Sequence, residues 1–260
     1  MAALPTVVSF WRGPVTWIER LCVASMRAAG HRVEVFSYEP EALSRAGLEC
    51  EVRDARDVIA PPDDIPSHNL GTLTAEAVLS DVFRLALLKQ ERGLWCDMDC
   101  LFIRQVDFDG EIFGWERPGS IANGVLRLSA ESPALNEFIR FSQKRPIVCP
   151  WWSLEKAMRM RAHYWLTRTS TLPRGAPPFG PRALTYFLEK HGRLDAALAR
   201  EVFYPVHYSK AGDLVDPADP VTPILTERSR IVHLWHSLLF RIPYPPPTSF
   251  LGKQIKRYGL

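Results

Sequence analysis

Residues 80–104 read SDVFRLALLKQERGLWCDMDCLFIR, and the fold turns on how this stretch is read. Its first part is a helix spanning 74–92, because Leu79, Val82, Phe83, Ala86 and Leu87 recur at i, i+3, i+4, i+7 and i+8. Gly93 ends it. Gly93 to Asp97 is then a short apolar strand, central in its sheet, and its C-terminal end carries Asp97-Met98-Asp99. Two acids at i and i+2 on an extended segment project to the same side. In open α/β sheets ligands sit outside the carboxyl ends of the strands, where this pair lies.

The flanking chain supplies the rest of the sheet. Thr6 to Trp11, Arg32 to Tyr38 and Leu48 to Arg53 are β-prone runs, separated by helices over Val15 to Ala29 and Glu41 to Ala46. That alternation predicts parallel strands with crossover helices. After a loop at Pro61 to Pro66 and the helix–strand unit above come strands at Glu111 to Trp115 and Ile121 to Leu128. A helix follows over Ser132 to Lys144, with Ser132 as its cap and Pro133 at its first position. Trp151 to Thr167 and Arg182 to His191 are helical, around a loop at Leu172 to Pro181. Val202 to Tyr204 and Arg230 to Trp235 read as strands, with an irregular acidic loop over Lys210 to Pro223. The fold class is α/β: a Rossmann-like mixed sheet, mainly parallel, flanked by helices. At 260 residues the chain is expected to form a single domain, 1–260, with helical additions.

Composition narrows the function classes. Apolar content of 47% and charged content of 23% are those of a soluble globular protein. A net charge of +3 does not suggest a nucleic-acid binder. The five cysteines form no CxxC and have irregular gaps, which argues against a disulfide framework or zinc ribbon and for free thiols in a reducing cytoplasm. The N-terminus lacks the pattern of a signal peptide, and no apolar run is long enough to span a bilayer. The basic-aromatic tail Gly252 to Tyr258 reads either as a solvated end or as a peripheral contact with the inner membrane face.

Chemistry concentrates around the acid pair. Two desolvated carboxylates repel, so a divalent cation neutralises them naturally, and such a cation can hold a diphosphate; the plain alternative is an acidic turn. On the preceding helix Asp81 and Arg84 share a face with Ala77, Leu85 and Leu88, so the helix is apolar nearly all round and its charges need partners. They either pair with each other or face a polar cleft.

The pattern Ser80-Asp81-x-x-Arg84, then Arg92-Gly93-Leu94-Trp95-Cys96-Asp97-Met98-Asp99, resembles the DxD glycosyltransferases that use nucleotide sugars. The resemblance is to the group holding capsule-type sugar transferases, initiating α-1,6-mannosyltransferases (family 32-like) and clostridial glucosylating toxins. Arg92 departs from it by standing where a first glycine is usual. Beyond this block, Trp11-Arg12-Gly13, Asn123-Gly124, Gly180-Pro181-x-x-Leu184-Thr185 and His233-x-Trp235 are similar to further elements of that group.

The resemblance implies a GT-A type fold, Mn2+ or Mg2+, and a nucleotide-diphosphate sugar, a UDP-sugar foremost. It makes Asp99 a metal ligand and Asp97 a ligand of ribose or metal. Asp81 and Arg84 are then donor and catalytic contacts, with Ser80 and Asn123 beside them. Trp11 stacks on the base or is a core residue. His233 is the third metal ligand or a structural histidine, with His236 its rival. The acceptor is a glycan, lipid-linked glycan or protein, for which Trp151, Trp152 and Trp165 are contacts or simply core. Residues to about 128 build the donor part and the rest shapes the acceptor part. The group retains anomeric configuration. Residues 94–101 also resemble haloacid-dehalogenase-type phosphatases, with Asp97 as nucleophile and a loose acidic partner in Asp213 or Asp216, and a non-catalytic sugar-binding module is a third reading.

Overall fold

The computed structural model describes residues 4–61, 75–168 and 178–260, with side chains in the third helix from residue 78 onward. Residues 62–66, 74 and 172–177, and the side chain of Ala77, lie outside the described residues, so the expectations that fall on them are not taken further.

The first half alternates as its sequence pattern requires. β1 (Val7–Phe10) leads to α1 (Trp17–Ala28), β2 (Val33–Ser37), α2 (Pro40–Arg45) and β3 (Glu51–Asp54). α3 (Ala75–Lys89) and β4 (Leu94–Cys96) follow. β5 (Cys100–Phe102), β6 (Ile112–Arg117) and β7 (Ser120–Arg127) come next. Then come α4 (Pro133–Ser142), α5 (Leu154–Thr167), α6 (Pro181–Lys190), α7 (Arg200–Phe203), β8 (Ile231–His233), α8 (His236–Leu239) and α9 (Phe250–Tyr258).

The main sheet has six strands in the order β3-β2-β1-β4-β7-β6. β1 to β4 are parallel, while β7 runs antiparallel to β4 and β6 antiparallel to β7. The expected α/β sheet, mainly parallel and flanked by helices, is therefore met, with β4 at its centre. Side-chain alternation splits the core into two layers. Val7, Val35, Leu94 and Cys96 pack on one face with α1, α9 and β5/β8. Val8, Phe36, Trp95 and Leu126 pack on the other with α3, α4 and α6. α3 is buried nearly all round, as its sequence predicts: Leu79, Phe83, Leu85, Leu87 and Leu88 are all buried, and so is Arg84.

Gly93 is the hinge between α3 and β4. It adopts φ 146°, and a Cβ there would stand 2.2 Å from the Thr6 carbonyl oxygen. Only glycine lets β4 slide in beside β1, with Leu94 N–H donating to Thr6 O at 2.9 Å.

Four expectations change. β4 stops at Cys96, so the acids lie not on an extended strand but in a turn closed by Cys100 N–H to Asp97 O at 3.1 Å. Val202 to Tyr204 is not a strand. Arg200–Phe203 is a short helix, closed by Tyr204 N–H to Arg200 O, and the extra bridge to the sheet edge is made by Leu198 on Gly114 instead. Ser132 occupies the N-cap of α4, but its hydroxyl caps nothing. The C-terminal tail is no loose end. It is α9, capped by Ser249, with Phe250, Leu251 and Ile255 buried and Lys253 paired to Asp219 at 2.7 Å. The five cysteines are free, all but Cys50 buried. Among the described residues no helix is long and apolar enough to cross a membrane.

Candidate functional site

The site is assembled by pairing β5 with β8. β5 begins one residue after the DxD turn, and its antiparallel register sets Cys100 opposite His233. Leu234 N–H donates to Asp99 O at 2.9 Å, and His236 N–H donates to Asp99 Oδ2 at 2.8 Å. These bonds turn the other Asp99 oxygen toward the imidazole: His233 Nε2 stands 3.4 Å from Asp99 Oδ1 and 3.9 Å from Asp97 Oδ2. Trp235, in the left-handed region at φ 58°, folds back on His233, with ring centroids 4.3 Å apart. The Trp235 backbone N–H donates to His233 Nδ1 at 3.3 Å, which leaves Nε2 as the ring nitrogen that faces the acids.

The second half of the site comes from α3. Arg84 donates to Asp81 Oδ1 at 2.6 Å and to Asp97 Oδ1 at 3.0 Å, with its guanidinium 4.7 Å above the Trp95 ring. Trp95 Nε1 donates to the same Asp97 oxygen at 2.7 Å, and Asn123 Nδ2 donates to Asp81 Oδ1 at 3.0 Å. Arg84 thus pairs with Asp81, as one of the two sequence readings expected, and also ties it to Asp97 of the acid pair. With Arg84 buried beneath them, Asp81 Oδ2, Asp97 Oδ2 and Asp99 Oδ1 accept no hydrogen bond from Arg84, Trp95, Asn123 or the His236 backbone.

The charges tune one another. Burial pushes the Asp97 carboxyl up, but Arg84, His233 and the Trp95 indole outweigh it and hold the group at about 2. For Asp81 burial prevails over Arg84 and raises it to about 6. Burial alone would lower His233; Asp99 and Asp97 hold it above its usual value instead.

The donor set fits a hard divalent cation. His233 Nε2 stands 3.4 Å from Asp99 Oδ1 and 3.9 Å from Asp97 Oδ2, and the absent side chain of Gly124 on β7 leaves room beside Asp97 and His233. A Cβ at Gly124 would stand 3.1 Å from both Asp97 Oδ2 and His233 Nε2. Cys100 Sγ also lies within 4.8 Å of ligand atoms of Asp99 and His233. That thiol faces the Gly124 carbonyl at 3.6 Å, and burial pushes it well above its usual value. Oxygen and imidazole donors without thiolate suit Mn2+ or Mg2+.

The remaining sequence-predicted residues divide. Asn123 joins the cluster through Asp81. Ser80 is half-buried next to Asp81, and its hydroxyl makes no hydrogen bond among the described residues. Trp11 lies at the carboxyl end of β1, edge-on to His236 at 5.6 Å, and lines a cavity of about 240 Å³ with Gly13, Ser37, Glu39 and Leu43. His236 turns its ring away from the acids to Glu19, 3.2 Å off. The Gly180-Pro181 element opens α6, and Thr185 Oγ1 there accepts Ile121 N–H at 2.9 Å, anchoring β7 two residues before Asn123. Trp151 and Trp152 pack on the α4/α6 side of the core, while Trp165 is exposed on α5. Asp213 and Asp216 make no ion pair or side-chain bond with the cluster.

Glu19 escaped the sequence reading. It is fully buried, and burial raises its carboxyl less than His236 and Thr16 lower it. Thr16-x-x-Glu19 is a capping-box signature, and the box is formed, so the residue was findable as a cap. Its contact with His236 was not, because the two lie at opposite ends of the chain.

No protein-family model and no curated protein sequence matches the chain. Among solved structures it is similar to a PaToxG glycosyltransferase, with 74% of each chain covered, a TM-score of 0.47 and 13% sequence identity.

Proposed function

We propose that this protein is a metal-dependent glycosyltransferase that moves a sugar from a nucleotide-diphosphate donor, a UDP-sugar foremost, to a glycan, lipid-linked or protein acceptor. One observation carries the reading: His233 Nε2 lies 3.4 Å from Asp99 Oδ1 and 3.9 Å from Asp97 Oδ2, with room left by Gly124 beside Asp97 and His233. The sequence pattern joining α3 to the DxD turn supports it independently.

Asp97, Asp99 and His233 would hold Mn2+ or Mg2+, which when bound supplies positive charge to the diphosphate as it leaves. Asp81, with Oδ2 open, accepts hydrogen bonds from donor-sugar hydroxyls, and Asn123 orients it. Arg84 acts from beneath, fixing the relative positions of Asp81 and Asp97. Trp11 and its small cavity take the base. Among the described residues no side chain stands out as a nucleophile, and the sequence resemblance implies retention, so the reaction would be a front-face displacement in which the leaving phosphate takes the acceptor proton. Residues to about 128 serve the donor, and the later ones serve the acceptor. The free cysteines suit a reducing cytoplasm.

A donor screen with Mn2+ tests this. Nucleoside diphosphate release from one sugar donor, abolished by chelation, is the expected result. Phosphate release from a generic monoester would assign the chain to the phosphatases instead, and donor binding without turnover would make it a binding module.

A further inference from the structure

α5 is unlike the other long helices of this protein. Of its 14 residues only Ala157 and Met160 are buried. Leu154, Met158, Trp165 and Leu166 are 71%, 54%, 70% and 74% exposed. At about 100° per residue, Leu154, Met158 and Trp165 form one narrow stripe, and Leu166 stands about 80° further round, so the four span an arc of about 120°. Arg161 borders this arc beside Leu154 and Arg159 borders it beyond Leu166, while Glu155 lies within it between Met158 and Leu166; both arginines are exposed, and among the described residues neither pairs with an acid. The helix carries Lys156, Arg159 and Arg161 against the single acid Glu155.

Neither a solvated face nor a packed one has this composition. Solvent-facing helices are polar, and core-facing ones are buried. A large apolar stripe holding Trp and bordered by unpaired guanidinium groups matches a helix that lies in the plane of lipid headgroups. α9, the part of the chain whose basic character first suggested a membrane contact, has no such stripe free: its Phe250, Leu251 and Ile255 are spent on the core.

We propose that α5 is an interfacial helix that docks this protein on an anionic phospholipid bilayer. Leu154, Met158, Trp165 and Leu166 enter the boundary between headgroups and acyl chains, and Arg159 and Arg161 meet the lipid phosphates. Cations on both borders of the stripe complement a uniformly anionic plane, which favours a bilayer over a protein groove.

Vesicle flotation of the full chain tests it, using phosphatidylcholine alone and phosphatidylcholine mixed with phosphatidylglycerol. The protein is expected to float with the anionic vesicles, less at high salt, and not with the neutral ones. The combined variant Leu154→Ser, Met158→Ser, Leu166→Ser is expected to bind at least ~10-fold more weakly, because insertion scales with buried apolar area. These side chains are exposed, so thermal melting of the variant should match the parent. Arg159→Gln with Arg161→Gln should weaken binding mainly at low salt. Failure of the parent to float with anionic vesicles, or equal flotation of the triple variant, overturns the proposal. So does a dimer in sedimentation that the triple variant dissociates, since a second copy would then be the occupant.

Discussion

At the scale of single residues, the site depends on one arginine shared by two carboxylates that differ in character. Arg84 reaches both Asp81 and Asp97, yet Asp81 is raised to about 6 and Asp97 held at about 2. Their effects on stability have opposite signs. Asp97, depressed when folded, contributes stability above the unfolded value of ~3.9, and this is lost as pH falls toward about 2. Asp81, raised when folded, contributes its full stability below ~3.9, and this is lost as pH rises through about 6. Under the proposed function catalysis follows Asp81, because the ionised carboxylate is the stronger acceptor for sugar hydroxyls. Activity should therefore rise with pH through an apparent pKa near 6. The Asn123 bond lowers this pKa, so Asn123→Ala should move the acid limb to higher pH. A limb that stays in place, read from kcat/KM against pH, would remove Asp81 from the titrating role.

At the scale of elements, what brings His233 to the acids is the β5/β8 pair and not the strand that ends in them. Strand alternation predicted a same-side pair; the chain instead turns at Asp97 and lets β5 carry Asp99 to His233. The α3–Gly93–β4 unit was legible because it is local: helical period, breaker and apolar run adjoin in sequence. His233 was legible only as a resemblance, since its register against Cys100 joins distant segments. Tyr204 misled because a β-prone, fully buried run is equally at home in a short helix. The tail was read by its charge, whereas α9 follows from the spacing of Phe250, Leu251 and Ile255. Gly124 is the element-level test. The Cβ of Gly124→Ala would press on Asp97 and His233, and ligand displacement of this kind typically costs ~10–100-fold in metal affinity. Titration calorimetry with Mn2+ should find that loss in a variant whose circular dichroism is unchanged. Undiminished affinity would mean that the open space is not the cation's.

At the scale of the molecule, the four strands β1 to β4 of the six-stranded sheet present their carboxyl ends to one side, and the cluster sits where the order passes from parallel β4 to antiparallel β7. Reversal of strand direction at that point lets Asp97 from β4's end and Asn123-Gly124 from β7 share a site, with Asp97 N–H donating to Gly124 O at 2.8 Å. β1 contributes Trp11, and α1 contributes Glu19 behind His236. The architecture thus brings the positions proposed for donor sugar, cation and base onto one rim. The central claim is that this rim holds a nucleoside diphosphate through a divalent cation. Calorimetry of UDP binding with and without Mn2+, to the parent and to Asp99→Ala, tests it most directly. The account predicts Mn2+-dependent UDP binding in the parent and its loss in Asp99→Ala, together with turnover. Binding of UDP by Asp99→Ala with the parent's affinity and metal dependence would contradict it.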